Sequence, residues 1–129
     1  MLQRHLEDSI HLVNRLMAQG DYADAITVMA PFADDPLPDL QKTVVAYNVA
    51  QLYAAMGHPV ETLGWYDWGL PFERALGRSL LAEAKAGYLV LLGRRDEAAA
   101  LLRDLLAGGG LDADGRARVD AALREASTP

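Results

Sequence analysis

The sequence contains no cysteine in its 129 residues. That absence excludes a disulfide framework and thiolate metal sites, and it suits a reducing compartment. Long apolar runs are missing too. No segment approaches membrane-spanning length, and the start, MLQRHLEDSIHL, places Arg4, Glu7 and Asp8 where a secretory signal needs an unbroken apolar stretch. The expectation is a soluble, cytoplasmic protein with no membrane partner. Hydrophobic residues make up 51% of the chain, and folding at this length buries roughly two-thirds of the unfolded surface, enough for one domain over 1–129.

Cationic residues are scarce in the first half. Residues 1–73 hold three Lys/Arg (Arg4, Arg15 and Lys42) against ten Asp/Glu, a balance of −7, whereas residues 74–129 hold nine against eight, or +1. An acidic surface repels phosphate backbones and offers no basic stripe, so no nucleic-acid partner is expected. Solubility is the first use of such a balance and steering of a basic client the second.

Signatures of catalysis and cofactor binding are also lacking. AGGGLD (107–112) follows a helical pattern rather than a strand and carries no Lys-Ser/Thr, so it reads as a helix stop and not as a phosphate loop. GRSLL (77–81) has neither the second glycine nor the strand-turn-helix setting of a nucleophile elbow, which makes Ser79 an ordinary helix residue. The histidines are His5, His11 and His58; Glu7 and His11 lie one helical turn apart, but two contacts do not make a metal site. Asp34-Asp35 and Asp96-Glu97 are sequence neighbours at helix starts, where the helix dipole favours negative charge. With no converging nucleophile, base and orienting group, the expectation is a non-catalytic protein with no cofactor and no metal.

What the sequence does have is helical periodicity. Apolar residues recur at threes and fours in Leu6, Ile10, Val13 and Met17, in Val45, Val49, Leu52, Tyr53 and Met56, and in Ala98, Leu101, Leu102, Leu105 and Leu106. Breaks fall at Gly20, at DDPLPD (34–39), at Gly57-His58-Pro59, at Gly69-Leu70-Pro71, at Gly93 and at Gly108-Gly109-Gly110. The pattern predicts an all-α chain of about seven helices, over 2–19, 21–33, 39–56, 59–69, 72–92, 94–107 and 113–126. Asp21 is the expected cap of the second helix, with Asp24 three residues on. Pro59 suits a first helical turn, and Asp112 suits the cap of the last helix. Pro71 is expected to start helix five, leaving Gly77 inside it as a weak point.

The glycine corners are evenly spaced: Gly20 to Gly57 is 37 residues and Gly57 to Gly93 is 36. Each step holds two helices. The corners read AQGDYADAI (18–26), AAMGHPVETL (54–63) and VLLGRRDEAAAL (90–101). In the middle step Tyr47-Asn48-Val49-Ala50 and Tyr53 stand on the first helix. On these residues the chain resembles the tetratricopeptide repeat (TPR) family, whose unit is a helix pair with a Gly-Asp-Tyr-like corner. The resemblance covers nearly all of 6–107. It implies a helical-hairpin α-solenoid with repeats near 6–38, 39–74 and 75–110, and a capping helix over 112–126. Small residues on paired helices let their axes approach, and Ala50 with Thr62 and Ala86 with Ala98 match that demand. Departures exist: Phe32 stands where the family usually has Ala, and the unit-ending proline is displaced or missing.

The resemblance also implies a site. In that family the first helix of each pair lines a concave surface that accepts a peptide or helix. Carried over, that surface takes in Ile10, Asn14 and Met17, then Tyr47, Asn48, Gln51 and Ala55, then Glu83, Gly87 and Val90. Ile10 and Met17 serve equally well as internal core. A subfamily that grips a C-terminal carboxylate uses a Lys, Asn, Asn, Lys, Arg set; Asn14 and Asn48 match its asparagines, but Ile10, Leu80 and Ala84 replace the cations, so a carboxylate clamp is not expected. The expected function is a protein-protein interaction module for a protein or peptide partner. A small acidic chaperone of the bacterial secretion type is the alternative, and an enzyme with an unrecognised site ranks last. In GWYDWG, Trp65 and Trp68 share a helix face away from Thr62, Leu63, Tyr66, Gly69 and Leu70. They form either an exposed patch, one use of which is a homo-oligomer, or a pair covered by linker 34–39 or by Phe72.

Overall fold

The structure is a computed structural model that describes residues 2–128, with side chains from 5 to 128; the Arg4 side chain invoked above lies outside them. Helix accounts for 81% and no strand occurs among the described residues, so the chain is all-α with seven helices. It divides into two compact units, residues 1–72 and 73–129. The first carries α1 (Leu2–Ala18), α2 (Tyr22–Met29), a 3-10 helix (Ala30–Asp34), α3 (Asp39–Ala55) and most of α4 (Pro59–Ala75). The second carries the end of α4 with α5 (Leu80–Leu91), α6 (Arg95–Ala107) and α7 (Ala113–Ser127).

In the first unit α1 packs on α2 and α2 on α3. Leu6, Val13, Ala25, Met29, Leu37, Val45, Val49 and Leu52 form the buried cluster. Ile10 and Met17 pack against it, which assigns both to the core. In the second unit α6 packs on α5 and on α7, and α5 also meets α7. Ala86, Ala98, Leu102 and Val119 are buried there, while Arg116, Asp120 and Arg124 of α7 face solvent. The Arg95 guanidinium ties down the end of α7, donating from Nη1 to the carbonyls of Glu125 (3.0 Å) and Thr128 (2.7 Å), where the helix dipole favours a cation.

Four corners share one hydrogen-bond pattern. After α1, α3, α4 and α5 a glycine turns left-handed, with φ of 78° at Gly20, 75° at Gly57, 69° at Gly77 and 79° at Gly93. The next residue's amide reaches back to the last helical turn: Asp21 to the Leu16 carbonyl, His58 to Tyr53, Arg78 to Glu73 and Arg94 to Leu89, all at 2.8–3.2 Å. This is the Schellman ending, which satisfies carbonyls that the helix itself leaves without partners. At the second corner the rings of Tyr53 and His58 also meet, 6.0 Å apart.

The expected break at Gly69-Leu70-Pro71 is absent, because α4 runs through Pro71 to Ala75 and the chain turns at Gly77 instead. Proline removes one amide donor and crowds the preceding turn. Contacts across it keep the helix going, since Trp68 and Phe72, one turn apart, meet edge to face at 5.3 Å. Ser79 is accordingly not inside a helix but at the N-cap position of α5. The helix predicted over 21–33 stays α-helical only to Met29 and tightens to 3-10 geometry over Ala30–Asp34, with Pro31 in its first turn. Asp21 does not cap α2 through its side chain. Its backbone, at φ −87° and ψ 60°, lies outside the extended geometry that aims a cap inward, whereas Asp112, at φ −73° and ψ 176°, accepts from the Gly115 amide at 2.7 Å.

Gly77 is more constrained than its counterparts. A Cβ there would stand 3.0 Å from the Gly110 carbonyl oxygen, whereas at Gly93 it would meet nothing within 4 Å. Gly93→Ala is expected to destabilise by about 1–2 kcal/mol, the strain of a left-handed alanine. Gly77→Ala should cost more, since a backbone carbonyl must also move. Urea midpoints of the two variants decide this; equal losses would mean that the Gly110 contact adds nothing.

Candidate functional site

Helix α3 displays an apolar stripe. Leu40, Val44 and Tyr47, spaced four and three, lie on one side of the helix; Leu40 is 39% exposed and Tyr47 45%, while Val44 is half-buried. Beside them the expected polar contacts are already engaged within the chain. Asn48 donates from Nδ2 to its own helix at the Val44 carbonyl (2.8 Å), and Gln51 donates from Nε2 to the Tyr66 hydroxyl (2.9 Å). Tyr66 is buried, so Gln51 orders a core phenol before it can serve any ligand. Asn14 on α1 and Ala55 on α3 are exposed.

Helix α5 displays a second stripe in its own unit. Leu80, Ala84, Gly87 and Leu91 follow at four, three and four, with Leu80 58% and Leu91 80% exposed. Two large exposed leucines flank the small residues Ala84 and Gly87. Val90 is half-buried. Glu83 is mostly enclosed and occupied: its Oε2 accepts from the Ser79 hydroxyl at 2.8 Å and from Arg118 Nε at 3.4 Å. Ser79 itself is fully buried, so its hydroxyl is closed to any substrate.

The tryptophans are half-buried and pack against the first unit's core. Trp65 and Trp68 meet edge to face at 5.7 Å, and Phe72 continues the row. The Lys42 ammonium lies 4.5 Å from the centre of the Phe72 ring. Of the two covers expected for the pair, Phe72 touches Trp68. Its place follows from the continuity of α4 through Pro71 rather than from a new helix folding back.

Glu73 is the site that pattern reading missed. It is 4% exposed, and its carboxylate accepts from the amides of Leu81 (2.7 Å) and Ala82 (3.1 Å), the open donors at the start of α5. One side chain thus caps the following helix across the Gly77 corner. A signal was available: an acidic residue in the last turn of α4 opposes the dipole of its own helix and so needs another reason to be there. Burial pushes the Glu73 carboxyl above its ordinary value, outweighing the two amide bonds that favour the charged form; Glu83 adds to the rise and Arg78 opposes it.

Among the described residues no three His, Asp or Glu side chains converge as a metal site would require, and no helix is long and apolar enough to cross a membrane. Compared with family models, with curated proteins and with solved structures, the chain finds no match in any of the three.

Replacing Glu73 with Ala leaves the Leu81 and Ala82 amides without partners and is expected to cost about 1–3 kcal/mol for each unsatisfied group. Its titration sets a pH dependence. Because the folded carboxyl holds its proton to higher pH than the unfolded one, its contribution is fully present below the unfolded value of about 4.5 and is lost as pH rises through the raised folded value. The stability of the native chain minus that of Glu73→Gln should therefore fall as pH rises through that window. A difference that stays flat or rises would contradict burial as the dominant cause.

Proposed function

We propose that this chain is a non-catalytic protein-interaction module of the tetratricopeptide-repeat type, in which the α3 stripe of the first unit and the α5 stripe of the second each bind an apolar segment of a protein partner. The repeat reading rests on the even spacing of Gly20, Gly57 and Gly93 and on the common ending built at each. One observation carries the binding reading. On α5, Leu80 and Leu91 stand 58% and 80% exposed at the two ends of a regular helical stripe. A stripe of that spacing is what a helix turns toward a packing partner. On α3, Tyr47 supplies the amphipathic aromatic type that anchors interfaces.

Asn14, Asn48, Gln51 and Glu83 have secondary parts in this reading. Asn48, Gln51 and Glu83 hold hydrogen bonds within the chain, so exchanging them for a partner's groups gains little. Affinity comes from leucine and tyrosine burial.

Affinity purification from the cell of origin identifies the partner, and two variants test the surface. Tyr47→Ala and Leu91→Arg should each weaken binding by about 1–3 kcal/mol while leaving the far-UV circular dichroism unchanged. Native affinity in both variants would remove the stripes from the binding surface.

A further inference from the structure

Gly64 has no structural reason within its own unit. It lies inside α4, where glycine is the poorest helix former after proline. Its φ is not left-handed, and a Cβ built on it would meet no atom within 4 Å. Gly64 instead helps to line a recess of about 260 Å³, together with Ala33, Glu61, Trp65 and Trp68. That is below the ~300–1,000 Å³ of small-molecule pockets, and suits a single side chain.

The walls define its chemistry. Trp65, Trp68 and Phe72 form one aromatic row, and the chain places its own cation, Lys42, on the Phe72 end. The Trp65 end opens into the recess, whose one charged wall residue is Glu61. His58 Nδ1 lies 3.4 Å from Glu61 Oε2, and both side chains are about half exposed, at 47% and 45%. Residues 1–72 hold nine Asp/Glu against three Lys/Arg, so the surrounding field is negative. Indole walls beside a carboxylate in a negative field complement a flat, weakly hydrated cation. A guanidinium stacks on the rings and forms charge-assisted hydrogen bonds with the carboxylate.

We propose that the recess at Gly64 receives an arginine side chain of a protein partner, its stem against Trp65 and Trp68 and its guanidinium at Glu61. A second copy of this chain fits less well, because two chains of net charge −6 repel. The recess shares no lining residue with the α3 and α5 stripes, and its test does not depend on them.

Trp65 and Trp68 are the two tryptophans of the chain, so intrinsic fluorescence reads this recess directly. The probes are a capped pentapeptide of two alanines, two leucines and a central arginine, and the same peptide with neutral citrulline in place of arginine. The arginine peptide should shift the emission saturably, with a Kd on the order of 1 mM or below. Citrulline, or Glu61→Gln in the protein, should weaken binding roughly fivefold or more, and added salt should weaken it further. Gly64→Leu should abolish the shift. Gly64→Ala should raise Tm by about 2–6 °C, because nothing within the unit requires the glycine. Equal binding of both peptides would overturn the cation, and no saturable shift at 10 mM peptide, about ten times the expected Kd, would overturn the site. A lower Tm for Gly64→Ala would give the glycine an internal role and remove the premise. Emission that shifts with protein concentration alone, together with dimer sedimentation, would assign the recess to a second copy and overturn the proposal.

Discussion

Left-handed glycine corners are the constraint on which the rest of this structure depends. A helix ends with carbonyls that lack partners, and the chain must both satisfy them and reverse direction within a few residues. One glycine in the left-handed region does both at Gly20, Gly57, Gly77 and Gly93, and the following amide closes the bond back into the helix. Because each corner uses the same geometry, the face that each following helix buries is set by its distance in sequence from the glycine. Thr62, five residues after Gly57, and Ala98, five after Gly93, are both fully buried. Small side chains at those places let the helices approach closely, and the exposed stripes are what remains on the far side of the paired helices.

The Gly77 corner carries an additional device. Glu73 provides the last-turn carbonyl that the Arg78 amide closes on, and its side chain caps the first amides of α5. The end of one helix and the start of the next are therefore fixed by a single residue. Burying that carboxylate is unfavourable by itself, and the two amide bonds only partly offset it. The return is a defined first turn for α5, the turn that presents Leu80.

Much of this was legible in the sequence. Periods of three and four in three stretches, with the breaks between them, gave an all-α chain of about seven helices, and Gly20, Gly57 and Gly93 marked three of the corners. Pro59 and Asp112 marked helix starts for the physical reasons that make them good ones. The fourth corner was misread because Pro71 was weighted as a stop. A proline costs one hydrogen bond, whereas the Trp68–Phe72 contact spans it and Lys42 sits on the Phe72 ring, and those terms depend on tertiary placement that no local pattern encodes. Once Pro71 was a stop, Gly77 had to look interior and Ser79 ordinary. The site divides the same way. The family resemblance implied a surface place for Tyr47 and Gly87 and both are exposed, but it could not show that Gln51 is held by Tyr66 or that Glu83 is held by Ser79 and Arg118. Hydrogen bonds between residues distant in sequence are decided by packing, and they remove polar candidates from a surface that keeps its apolar ones.

The central claim is that the exposed face of α5 is a partner surface and not a bare one. A photoreactive amino acid placed at Leu91 in the cell of origin tests this most directly, with the same group at exposed Arg103 of α6 as the control. The account predicts that irradiation links one defined protein to position 91 and not to position 103. It also predicts that the linked segment of that protein is an apolar stretch at helical spacing. Adducts of equal yield at both positions, or none at position 91 from a folded and abundant chain, would contradict it.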